Sequence, residues 1–148
     1  MSEEDLYRQA MQVALHKLKS KDRFELEIRT FLAEFPAHIV DRVITFLKER
    51  RIIDDRKTTL SLVERYSGKR SVGLEKLRAE LLERGAPEDT IDAIAGEVLG
   101  DERQRMLDAL SAKFSPSDGL RAKAARFLFS RGFPEEEIES VLDRFFQA

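Results

Sequence analysis

The chain is 148 residues long, 42% hydrophobic and 36% charged, with ten Phe, no Trp and no Cys. That apolar content excludes a disordered tail, and the missing Cys excludes disulfides, thiolate nucleophiles and Cys-based zinc sites. The net charge is −2, and Lys+Arg against Asp+Glu stay balanced at 10 against 11 over 1–55, 8 against 8 over 56–100 and 8 against 9 over 101–148, so no segment is the basic domain of a typical nucleic-acid binder.

The N-terminus, Met1-Ser2-Glu3-Glu4-Asp5, lacks the basic and apolar regions of a signal peptide. No apolar run approaches the roughly 18 residues of a membrane span, so the expected location is the cytoplasm, away from membranes. Leu6, Ala10, Val13, Ala14 and Leu18 then line one face of a helix from about Glu3 to Lys19. Ile28, Phe31, Leu32 and Phe35 line a second helix, with Ser20 suited to cap it. Ile39, Val40, Val43, Ile44 and Leu47 line a third. Asp54-Asp55, after Ile52-Ile53, marks a boundary. A helix over about Arg56 to Tyr66 leads into the Gly- and Ser-rich loop Ser67 to Gly73. Gly100-Asp101 is a second boundary, and a helix follows over about Glu102 to Phe114. Ser115-Pro116-Ser117-Asp118-Gly119 is a further turn, and nothing alternates as a strand would.

The pattern repeats. Phe31-Leu32-Ala33-Glu34-Phe35-Pro36, Leu82-Glu83-Arg84-Gly85-Ala86-Pro87 and Phe129-Ser130-Arg131-Gly132-Phe133-Pro134 share one layout, with the prolines 51 and then 47 residues apart. Val40, Ile91 and Ile138 stand four beyond the Pro, and Val43, Ile94 and Val141 seven beyond. Phe31, Leu82 and Phe129 stand five before it, and Leu26, Leu77 and Ala124 ten before. Gly85 and Gly132 suit the left-handed conformation that closes a helix. Pro36, Pro87 and Pro134 suit the first position of the next one. Glu88-Asp89 and Glu135-Glu136-Glu137 complement the positive end of a helix. Glu34 replaces the glycine in the first copy, so that turn is built differently or carries strain. The expectation is an all-α chain of three tandem three-helix repeats, 1–55, 56–100 and 101–148. Each is near the lower size limit for independent folding, so neighbours pack on one another.

Four stretches resemble the RecX family of bacterial recombinase regulators. They are the N-terminal helix with Phe24-Glu25-Leu26 and Ile39 to Leu47; Ile52-Ile53-Asp54-Asp55; Arg70-Ser71-Val72-Gly73 through Leu82-Glu83-Arg84-Gly85; and Ala125-Arg126-Phe127-Leu128-Phe129-Ser130-Arg131-Gly132-Phe133. The resemblance implies a curved, elongated row of three three-helix repeats. It implies binding to the RecA recombinase or its DNA filament, limiting recombination, DNA repair and the SOS response. A monomer with at most weak direct DNA contact is expected. The chain departs from the family in being less basic than many members, in lacking the turn glycine at Glu34, and in placing Arg56-Lys57-Thr58-Thr59-Leu60 where an aromatic residue tends to follow the double Asp.

No catalytic constellation assembles. His16 and His38 are the only histidines, and there is no HExxH, phosphate loop, GxGxxG or nucleophile elbow. Asp54-Asp55 and Asp101-Glu102 have the makings of acid/base or metal pairs. Both lie at predicted helix starts, where carboxylates cap and complement the dipole. No enzyme, metal or cofactor is expected. Phe127, Phe129, Phe145 and Phe146 read as core, with one of the last two left exposed.

The candidate partner-binding residues are basic: Arg65, Lys69, Arg70, Lys76, Arg78 and Arg84 around the central loop and helix, then Arg121, Lys123, Arg126 and Arg131 in the last unit. Arg presents a planar fork to phosphate or carboxylate. The competing role is a solvated face paired with Glu75, Glu80 and Glu83. Lys69 and Arg70 stand apart, having no acidic neighbour in a loop. Two other functions share this fold: a helical DNA-binding module and an interaction scaffold with another partner.

Overall fold

Helices begin where the chain supplies acceptors for N–H groups that would otherwise lack partners. The structure is a computed structural model and describes residues 1–147; Ala148, the last position of the segment 101–148, lies outside it. Helix α1 spans Glu3–Ser20, capped by Ser2, which accepts from the Asp5 N–H at 3.1 Å. Helix α2 spans Glu25–Phe31. Ser20 does not cap it. Ser20 ends α1, its hydroxyl donating to the Lys17 carbonyl. The N-cap of α2 is Phe24, whose ring is fully buried and whose N–H donates to Glu27 at 2.9 Å. Burial of the ring, and not a hydroxyl, fixes where this helix starts.

Helix α3 spans Ala37–Glu49, α4 Asp55–Arg65, α5 Leu74–Arg84 and α6 Glu88–Ile94, which runs on into one π turn at Ala95–Leu99. Helix α7 spans Glu102–Lys113, α8 Arg121–Ser130 and α9 Glu135–Phe145. The segment 67–73 is not all loop, since Gly68–Arg70 forms a 3₁₀ turn. Among the described residues there is no strand.

The three prolines sit one position earlier than expected. Pro36, Pro87 and Pro134 have ψ of 144°, 137° and 121°, so each is extended and precedes the first helical residue. Their carbonyls accept the first helical bonds, from Val40 at 3.1 Å, Ile91 at 3.0 Å and Glu137 at 3.0 Å. Gly85 and Gly132 take the left-handed conformation at φ 109° and 79°, which closes the helix before each Pro. At Glu34 the turn is built without it and without strain, the Phe35 N–H donating to Leu32 at 3.0 Å. Among the described residues the only non-glycine position with positive φ is Arg51, just beyond α3.

Among the described residues the buried side chains form three clusters. Ala10, Ile28, Leu32, Ile39, Val43 and Leu47 belong to one, Val63, Leu77, Leu81, Ile91 and Ile94 to the next, and Met106, Leu110, Leu128, Val141 and Leu142 to the last. Helix α1 packs on α2 and α3, α4 on α5 and α6, and α9 on α7 and α8. Phe24, from the connection before α2, is buried in the middle cluster and not in the first. The accessible surface is 9069 Å², against about 7,800 Å² for a typical monomer of this mass. That excess is the mark of an elongated array with several small cores.

Candidate partner-binding surface

The acidic pairs at the two boundaries build matching joints. Asp54 caps its own helix, accepting from the Lys57 N–H at 3.2 Å, and Asp101 does the same for Arg103 at 3.3 Å. The next residue in each pair reaches back. Asp55 accepts from the Glu25 N–H at the start of α2 (2.9 Å), and Glu102 from the Leu74 N–H at the start of α5 (2.7 Å). Each pair thus caps two helices, one on either side of the boundary. Burial pushes the Asp55 carboxyl above its ordinary value, partly offset by the Glu25 N–H. Burial also pushes Glu25 up, but hydrogen bonds from Lys48 and Arg29 outweigh it and hold that carboxyl below its ordinary value.

The turn glycines serve the same joints. A Cβ on Gly85 would lie 2.8 Å from the Leu26 side chain, and one on Gly132 3.1 Å from Lys76. Glu34, at the matching position, is exposed. The joint between α5 and the α8–α9 turn is closest. The Gly73 N–H donates to the Arg131 carbonyl at 2.8 Å, and a Cβ there would stand 1.9 Å from the Gly132 oxygen.

These contacts sort the candidate cations. Arg78 is spent on Glu88 and Asp92, tying α5 to α6. Arg84 pairs with Glu27 at 3.0 Å and lies over the Phe24 ring. Arg121 pairs with Glu139 and Asp143 at 2.7 Å each. Among the described residues, Arg65, Lys69, Arg70, Lys76, Lys123, Arg126 and Arg131 are in no ion pair. Lys69 and Arg70 are exposed on the 3₁₀ turn that packs against α7. Lys76 reaches the Ser130 carbonyl at 3.5 Å, and Arg131 lies over the Phe127 ring. Of these cations Lys69 and Arg70 are adjacent in the chain.

Arg105 escaped the sequence reading. It is 8% exposed and donates to the Val72 carbonyl at 2.7 Å, while its Nη1 is buried without a partner. Burial pulls its pKa down. The signal was its spacing, four residues before the buried Ala109 on the inner face of α7. His38 lies against Glu3 at the surface at 2.9 Å. Among the described residues no group of three or more acids and histidines is arranged to hold a metal.

Phe127 and Phe145 are buried as expected, and Phe146 is half-buried. Phe129 is not core: it is 62% exposed, because α8 turns Phe127 and Leu128 inward and leaves the next position on the outer face. Phe31 is exposed too, with Lys17 and Arg23 over its ring at 4.6 and 5.2 Å. It borders a groove of about 640 Å³ between α2 and α5. Phe129 borders one of about 620 Å³ between α8 and α9.

No family model matches the chain. Over 147 residues it is 31% identical to the regulatory protein RecX of Chlorobium phaeobacteroides, covering 95% of this chain and 96% of that protein. It is 29% identical to the regulatory protein RecX of Chlorobium limicola, covering 93% and 89%. Among solved structures, the crystal structure of RecX from Lactobacillus salivarius superposes with a TM-score of 0.75 at 15% identity, over 95% of this chain and 97% of that one. That last likeness bears on the fold alone.

Proposed function

Because the chain belongs to the RecX family of regulatory proteins, we propose that it is a non-catalytic regulator that binds the RecA recombinase, or the filament RecA forms on DNA, and limits recombination and repair. The relatives' names carry the regulatory role. The RecA partner and the inhibitory sense are the proposal. The observation that best supports it is the pair Lys69 and Arg70, exposed cations in no ion pair on a turn between the second and third cores. Such a pair meets phosphate or carboxylate on a partner. Arg65, Lys76, Lys123, Arg126 and Arg131 add further cations, whereas Arg78, Arg84 and Arg121 hold the helices together.

In this reading the segments 1–55, 56–100 and 101–148 act as linked contact units of a monomer. Weak contacts in series multiply through effective concentration, so an elongated row suits a filament better than a single globule would. Its presence excludes a second DNA strand or a neighbouring subunit. No helix among the described residues is long and apolar enough to cross a membrane, and action in the cytoplasm belongs to the same proposal.

The test is RecA-driven strand exchange and ATP hydrolysis with the purified chain added up to one copy per RecA. Both activities are expected to fall. Lys69→Glu with Arg70→Glu is expected to weaken the effect about tenfold, the order of two lost charge-assisted contacts, with an unchanged melting curve. Full RecA activity at saturating chain would end this reading. Tight, steeply salt-dependent binding to naked DNA would favour a DNA-binding module instead.

A further inference from the structure

Large apolar side chains stay exposed at several places, and single ones need no explanation. One repeat position is different. Phe31, Leu82 and Phe129, each five residues before its proline, are 37%, 42% and 62% exposed. Among the described residues no other large exposed apolar side chain recurs. The counterparts of Leu26 are the buried Leu77 and Ala124, and those of Val98 are the buried Leu47 and Phe145. All three sit in the last turn of the middle helix of their unit.

Two of the three border open grooves that a partner's side chain can enter. The groove beside Phe31 has Leu26, Leu62 and Leu77 on its walls and Arg65 at its edge. The groove beside Phe129 is walled by Ala125 and Ile138, with Arg126 at its edge. The middle unit differs for a visible reason. Arg78 stands at the repeat position of Ala125 and is bridged to Glu88 and Asp92, the positions of Glu135 and Glu139. Arg78 therefore covers the space that Ala125 leaves open.

We propose that Phe31, Leu82 and Phe129 are three equivalent anchors, each meeting the same apolar pocket on successive copies of one protein subunit. The recurrence argues for the occupant: a chain that leaves the same apolar repeat position exposed three times, once in each unit, fits a partner that itself repeats. The linings argue for the chemistry. Arg65 and Arg84 stand with Glu27, Glu80 and Glu83 in the groove beside Phe31, and Arg126 with Glu135 and Glu139 in the groove beside Phe129, so the complementary pockets are apolar with rims of mixed charge. The inference rests on the proposed binding to a RecA filament, whose successive subunits would supply the pockets.

The experiment is fluorescence anisotropy of the N-terminally labelled chain with RecA filaments assembled on single-stranded DNA. It uses the wild type, Phe31→Ser, Leu82→Ser, Phe129→Ser, the triple variant, and Leu120→Ser as an exposed apolar control outside the repeat position. Each anchor variant is expected to weaken binding about three- to tenfold, and the triple variant about a hundredfold or more, as linked weak contacts should. Leu120→Ser should bind as the wild type does. Melting curves guard against unfolding, and Phe129→Ser, at the most exposed anchor, carries the test alone if the others lose stability. Wild-type binding with an unimpaired, folded triple variant overturns the anchors while leaving filament binding standing. Failure of the wild type to bind overturns both. A change in the self-association of the unliganded chain in the triple variant would assign the anchors to pairing between copies, which also overturns the proposal.

Discussion

The joint between the first and second cores and the joint between the second and third share a backbone cap and a turn glycine packed against a side chain, and differ in what else meets there. Both have a carboxylate reaching back to the first N–H of the preceding middle helix, Asp55 to Glu25 and Glu102 to Leu74. Around the first joint the remaining contacts are side chains: Leu26 against Gly85, and Arg84 on Glu27. At the second, backbone meets backbone at Gly73 and Gly132, and Arg105 holds the Val72 carbonyl from beneath. A side-chain joint tolerates substitution and responds to salt. A backbone joint is fixed by shape. One repeat architecture therefore contains an adaptable connection and a rigid one.

The largest expected effect is at the rigid joint. Gly73→Ala would place a methyl group 1.9 Å from the Gly132 oxygen, which no rotamer relieves. Overpacking against backbone predicts a loss of roughly 2–3 kcal/mol in urea unfolding. A loss below about 0.5 kcal/mol, the scatter of ordinary surface changes, would show that this joint is looser than described. The adaptable joint should show less. A double-mutant cycle on Glu27→Ala and Arg84→Ala is expected to give a coupling of about 0.5–1 kcal/mol, shrinking in high salt.

The smallest effect concerns Asp55. Burial raises its folded pKa, so the folded state holds that proton more tightly than the unfolded chain. This contribution is present in acid and lost as pH rises through the raised value. Glu25 opposes it. Its lowered value gives stability present above the ordinary carboxylate range and lost as pH falls through the folded value. Asp55→Asn keeps an oxygen for the Glu25 N–H and removes the first contribution. Relative to the wild type, the variant should be most stable near pH 7 and lose ground as pH falls toward about 4, the ordinary carboxylate range. The opposite trend in denaturant midpoints would contradict the assigned environment.

Much of this was legible in the residues. Helical spacing gave the apolar faces, and the Gly-to-Pro signal gave the order of turns, because both depend on local geometry that a short segment sets by itself. Ser20 and the prolines were misplaced by local rules, since the burial of Phe24 and the acceptor role of the Pro carbonyls decide those helix starts. What a side chain does across a boundary was hidden. Asp55 and Glu102 looked like caps of their own helices, and Arg78, Arg84 and Arg121 looked like surface cations. Their partners lie 10 to 57 residues away. Phe129 misled for a related reason, because spacing marks an apolar residue as able to face inward without saying which of three consecutive ones does.

The row-on-a-filament account meets its most direct test in co-sedimentation of the chain with RecA filaments on single-stranded DNA. The account predicts that the chain pellets with the filaments and saturates at less than one copy per RecA subunit, since one row spans several. A chain that stays in the supernatant while RecA pellets, at any ratio, would contradict it.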